Sequence, residues 1–202
     1  SEGQFCVYYQ PVYSIKAGRA VSAEALVRWR HPVAGLIPPA RFVPLFERNG
    51  FVVRLDRFAW EDVCRMLSSR IRAGLPVVPV SVNVSRLNFY DSDFCDTVVS
   101  LLKKYDLDPS LLRLEITESA YTDNPTQLMH VLKKLQSLGL KILMDDFGSG
   151  YSSLNMLRNL AVDILKIDMS FVRDLENSQR APAILRRVVE MAHDLRMGIV
   201  VE

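Results

Sequence analysis

The sequence predicts an α/β fold built on a parallel sheet. From Val77 onward, apolar runs bounded by turn residues alternate with amphipathic stretches. The links between them are short, and repeated βα units with short links imply parallel strands. The opening differs, with two strand-like segments around Lys16-Ala17-Gly18-Arg19 predicting an antiparallel hairpin.

The hairpin comprises Phe5 to Ser14, rich in Val, Tyr and Phe, and Ala20 to Trp29. Pro38-Pro39 starts a helix with Phe42, Leu45 and Phe46 on one face, stopped near Gly50. A longer helix covers Leu55 to Ala73. Its buried stripe is expected at Phe58, Leu67 and Ile71, with Gly74 as cap. Strands follow at Val77–Val84, Leu111–Thr117, Leu140–Asp146, Val162–Asp168 and Gly198–Glu202. Helices intervene at Asp91–Tyr105, from Asn124-Pro125 to Gly139, at Tyr151–Leu160 and at Ala183–Leu195. The inward residues expected are Phe94, Val98, Leu101 and Leu102 in the first of these, and Ile184, Val188, Met191 and Leu195 in the last. Seven strands result. They fit either an open doubly wound sheet or a closed barrel, and an eight-stranded barrel needs one more βα step after Glu202. No GxGxxG fingerprint supports a dinucleotide fold.

The chain has 202 residues, enough for one domain with a substantial core. A net charge of +2 gives no argument for a nucleic-acid polymer or a membrane surface as partner. Cys6, Cys64 and Cys95 match no zinc or disulfide spacing and read as buried thiols in a reducing, cytoplasmic compartment. No apolar stretch reaches membrane-spanning length, and no signal peptide opens the chain. Ser1 lies almost directly on a strand, so the chain is expected to be one domain cut from a longer protein.

The stretch Lys141 to Ser153 organises the rest. An apolar run stops at Asp145-Asp146, and a Gly-Ser-Gly loop with hydroxyls follows. Ionised carboxylates ending a buried strand are costly without a cation or donor. Other strands carry similar groups: Glu24 in the second, Asn83 late in the third, Glu115 late in the fourth, Lys166 in the sixth and Glu202 at the end of the seventh. In a βα barrel these converge on one mouth, where chemistry collects. Five carboxylates crowded together call for cations. Oxygen ligands select Mg²⁺ or Mn²⁺ over zinc. A carboxylate bridging two ions about 3.5–4 Å apart is a common plan for phosphoester cleavage.

Taken singly, each residue has a plainer reading. Glu24 can be an exposed strand residue, Asn83 a turn cap, and Glu115 a flank of the next helix, with Lys166 a surface partner of Asp168. Their joint placement on successive strands argues against that. His31, His130 and His193 show no ligand spacing, and Trp29 and Trp60 read as core.

At this point the sequence resembles the EAL domain family of bacterial cyclic di-GMP phosphodiesterases. Glu24-Ala25-Leu26 is the signature, flanked by Tyr9-Gln10-Pro11 and Gly35-Leu36-Ile37-Pro38-Pro39. Ser81-Val82-Asn83-Val84-Ser85, Leu114-Glu115-Ile116-Thr117-Glu118-Ser119, Asp145 to Ser153 and Leu165-Lys166-Ile167-Asp168 complete an ordered series over the whole chain.

The resemblance implies a TIM-like (β/α) barrel with an antiparallel first strand, here expected to lack its last strand and helix. It implies two divalent ions, Mg²⁺ or Mn²⁺, held by Glu24, Asn83, Glu115, Asp145, Asp146 and Glu202. Lys166 resembles the lysine that orients or polarises the attacking water. Glu118 resembles the anchor of the Asp146–Ser153 loop, which in the family links the site to a dimer contact. Gln10, Leu26, Arg28 and Pro39 resemble nucleotide-contacting positions. The implied reaction is hydrolysis of cyclic di-GMP to linear pGpG, in a homodimer with flanking GGDEF or sensor domains.

Other functions were weighed. A non-catalytic domain that binds cyclic di-GMP or a partner protein is the main alternative, but degenerate members usually lose metal ligands, and here every ligand position within the chain is filled. An aldolase using Lys166 as Schiff base conflicts with a carboxylate-rich mouth, which keeps that lysine protonated. A kinase reading of Asp146-Phe147-Gly148 fails for want of a glycine-rich loop and an HRD-type loop.

Overall fold

The computed structural model describes residues 3–117, 120, 125–147, 162–169 and 180–201. These carry eight strands and five α-helices. The chain divides into two compact units, Ser1–Leu114 with Leu138–Leu140, and Glu115–Ser137 with Lys141–Glu202.

In the first unit, β1 (Phe5–Ser14) and β2 (Arg19–His31) form the expected antiparallel hairpin. β3 (Gly35–Ile37) adds an antiparallel strand beside the end of β2, with Trp29 opposite Ile37. Three residues are too few to show an alternation in the sequence. β4 (Val80–Asn83) runs parallel to β2 and pairs Ala23 with Val80 and Ala25 with Val82.

The helix expected from Pro38 is broken in two. Pro39–Arg41 is a single 3₁₀ turn, and α1 (Val43–Asn49) follows Phe42. Of the face expected there, Phe42 is buried and Leu45 is exposed. Gly50 then takes φ +77°, a left-handed conformation that suits glycine, and α2 (Phe51–Arg72) starts at once. The buried face of α2 is Val52, Leu55, Asp56, Ala59, Trp60, Val63, Cys64 and Leu67, a three-and-four spacing. Phe58 and Ile71 are exposed, which corrects the expected stripe. Phe58 lies on the far side of the helix, and Ile71 is in its last turn. α3 (Phe94–Tyr105) buries Phe94, Cys95, Val98 and Leu102.

β5 (Leu112–Thr117) spans the division between the units. In the second unit, α4 (Pro125–Ser137) buries Leu128, Leu132 and Leu135. β6 (Lys141–Phe147), β7 (Ile164–Ile167) and β8 (Gly198–Val201) are neighbouring parallel strands. One residue ties their starting ends. The Asp163 carboxylate accepts from the Ile142 amide at 2.9 Å, Gln136 Nε2 at 3.0 Å and Lys141 Nζ at 2.6 Å. The Asp163 carbonyl accepts the Gly198 amide. Burial pushes the Asp163 carboxyl up, but these donors outweigh it and hold it below the usual range.

In α5 (Ala181–Asp194) the buried residues are Ala181 and Ala192. Ile184 and Leu195 are exposed, against expectation. Small residues on the contacting face carry no hydropathy signal strong enough to find from sequence.

The helix expected over residues 151–160 lies outside the described residues. Cys64 and Cys95 are buried and Cys6 is half-buried, all as free thiols. No described helix is long and apolar enough to cross a membrane.

Candidate active site

β6 explains itself locally. Ile142, Leu143 and Met144 are buried, and a carboxylate in the next apolar slot would be costly. Met144 pairs with Leu165, but it is Phe147 that pairs with Ile167. Asp145 and Asp146 therefore share the space opposite Lys166, forming a bulge of one extra residue. Without it, Asp146 would stand opposite Ile167. With it, Phe147 takes that place and is buried. Asp146 adopts φ +55°, which Asp tolerates better than most residues, and its amide donates to Asp145 Oδ1 at 3.0 Å.

Lys166 is 2% exposed and Glu115 1% exposed. The Lys166 ammonium lies 2.9 Å from Asp145 Oδ1 and 3.2 Å from Glu115 Oε2. The buried Lys166 ammonium thus faces two carboxylates.

Glu24 is buried at mid-strand on β2, opposite Gln10 of β1 and Ser81 of β4. Strand alternation puts Leu26 and Arg28 on the same face as Glu24. Arg28 Nη1 donates to the Val27 carbonyl at 3.0 Å. The other face of β2 carries Ala23, Ala25, Val27 and Trp29. Trp29 stacks on Phe5 at 5.7 Å and meets Phe42 edge-on at 5.9 Å, next to the Pro39 turn. Asn83 is exposed, as the last residue of β4.

Two residues of α2 reach the chain at and just after Asn83. Trp60 Nε1 donates to the Asn83 carbonyl at 3.0 Å. Asp56 Oδ2 accepts from the Ser85 amide at 2.8 Å and from Asn88 Nδ2 at 2.7 Å. Burial pushes the Asp56 carboxyl up to about 7 despite those donors. Sequence reading missed Asp56 and took Trp60 as core only. The signal was present: an Asp in phase with Val52, Leu55, Ala59 and Val63 puts a carboxyl on a buried helix face.

Glu118 and Glu202 lie outside the described residues. Among the described residues, no three His, Cys, Asp or Glu side chains are grouped as an ion would need. Glu115 and Asp145 are held by the Lys166 ammonium. The donor set nonetheless suits a hard divalent cation, being carboxylate oxygens largely removed from water.

The family model of the EAL domain matches residues 1–202. The chain belongs to the EAL domain family.

This EAL domain is 39% identical over 201 residues to the cyclic di-GMP phosphodiesterase NbdA of Pseudomonas aeruginosa, covering 100% of this chain and 26% of that protein. It is 35% identical over 199 residues to the bifunctional diguanylate cyclase/cyclic di-GMP phosphodiesterase MucR of the same organism, covering 98% of this chain and 29% of that one. The chain thus spans less than a third of either relative's length. Among solved structures, the MucR phosphodiesterase in complex with c-di-GMP superposes with a TM-score of 0.91 at 35% identity, over 98% of this chain and 80% of that one. The EAL domain of FimX from Pseudomonas aeruginosa bound to c-di-GMP gives 0.86 at 26% identity, over 98% and 79%. These matches put the EAL domain in the mixed α/β, TIM-like class expected from sequence. The hairpin of β1 and β2 supplies its antiparallel first strand.

Proposed function

We propose that this EAL domain hydrolyses one phosphodiester of cyclic di-GMP to give linear pGpG. The observation that carries the reading is the buried contact of Lys166 with Glu115 and Asp145 beside the β6 bulge. A structural ion pair has no need of the second carboxylate, whereas a site handling phosphate and cations does.

Glu24, Asn83, Glu115, Asp145, Asp146 and Glu202 are the residues that would hold two divalent ions, Mg²⁺ or Mn²⁺. When bound, the ions supply positive charge that activates water and offsets charge on the phosphate. Lys166 then orients the attacking water with its ammonium, its position fixed by the two carboxylates it bridges. Gln10, Leu26, Arg28 and Pro39 receive the nucleotide, with the Arg28 guanidinium suited to a phosphate oxygen. Glu118 takes the role that the family gives to the anchor of the Asp146–Ser153 loop, linking the site to a homodimer contact. The domain works in the cytoplasm as one module of a longer signalling protein, beside GGDEF or sensor domains.

The test is chromatographic. Protein, cyclic di-GMP and Mg²⁺ together should yield pGpG, and EDTA should stop it. Tight binding with no product in the full-length protein would favour a receptor instead.

A further inference from the structure

We infer that Asp56 and Trp60, one turn apart on α2, are positioning residues that fix Asn83 for cation binding. The inference rests on the reading of Asn83 as a ligand.

Asn83 ends β4 and is exposed, so the strand alone does not fix its backbone beyond that point. Trp60 is fully buried, and its indole N–H holds the Asn83 carbonyl. Two residues on, a single carboxylate oxygen of Asp56 holds the Ser85 amide and Asn88 Nδ2. Ser85 Oγ in turn accepts from the Leu87 amide, which starts the 3₁₀ turn Arg86–Tyr90. The chain leaving β4 is therefore pinned on both sides of Val84 by one rigid helix face. Outer groups of this kind commonly set the affinity of a ligand they never touch.

Both bonds Asp56 accepts go to one oxygen, so an amide oxygen can replace it, whereas an alkyl group cannot. Trp60 is fully buried against Phe94 at 5.5 Å, so a variant that removes only its N–H separates the donor from the packing.

The experiment is Mn²⁺ titration, by calorimetry or by loss of the free-ion EPR signal, on wild type and variants checked for fold by circular dichroism. Asp56→Leu and Trp60→Phe should each weaken Mn²⁺ binding about tenfold, and Asp56→Asn should bind as wild type does. If Trp60→Phe does not fold, benzothienylalanine at position 60 keeps the bicyclic shape without the donor. Asn83→Ala separates the two readings. If Asn83→Ala weakens binding while Asp56→Leu and the donor-free residue 60 do not, the positioning role is overturned and the ligand stands. If Asn83→Ala binds Mn²⁺ as wild type does, the ligand assignment falls and the inference falls with it. A melting temperature lowered with unchanged Mn²⁺ affinity would mean a purely structural role and would overturn the inference.

Discussion

Lys166 meets Asp145 at 2.9 Å where one extra residue in β6 leaves two aspartates opposite a single lysine. The same ammonium reaches Glu115 on β5. Replacing the lysine removes a cation shared by both carboxylates. Lys166→Met should destabilise the protein by about 3 kcal/mol or more in EDTA, as uncompensated buried charge does. Urea unfolding measures this. An unchanged midpoint would mean that the carboxylates are compensated elsewhere.

Asp146 separates backbone from side chain. Its φ of +55° suits glycine, so Asp146→Gly should fold with stability close to wild type. Asp146→Val should lose about 1–2 kcal/mol from forcing a branched residue into the left-handed region. Both should lose Mg²⁺-dependent hydrolysis if the carboxylate is a ligand. Full turnover by Asp146→Gly would remove it from the site.

Asp163 is predicted to be structural. Its carboxyl is held low in the folded chain, so it contributes stability above the unfolded value near pH 4 and loses it as pH falls through the folded value. Asp163→Ala should cost about 2–3 kcal/mol at neutral pH and little in acid. A loss equal at pH 3 and pH 7 would contradict this.

Asp56 has the opposite sign. Its folded value of about 7 lies above the unfolded one, so the folded state holds the extra proton between roughly pH 4 and 7. That contribution is full below pH 4 and gone once pH has risen past the folded value. Asp56→Asn should therefore be more stable than wild type at pH 8, by on the order of 2 kcal/mol, and about equal at pH 4. Thermal unfolding at the two pH values decides it.

Much of this fold was legible because its signals are local. β1 is found over the residues expected, and β6 is displaced by one, since both carry apolar runs bounded by turns. What escaped depends on partners. β3 exists only because β2 lies beside it. Phe58 looked like core, but only the phase set by Val52 and Leu55 shows that it faces out. At the site, the meeting of Lys166 with Glu115 and Asp145 follows from strand-end positions readable in the sequence. The bulge beside it does not, because register is a property of paired strands. Asp56 was hidden for the same reason, since its donors lie 29 and 32 residues away.

The most direct test is turnover of cyclic di-GMP with Mg²⁺ or Mn²⁺ by wild type, Glu24→Ala and Asp145→Ala, with fold checked by circular dichroism. The account predicts pGpG from wild type alone, with both variants folded and inactive. Equal turnover by a folded Asp145→Ala, or wild-type hydrolysis that persists in EDTA, would contradict it.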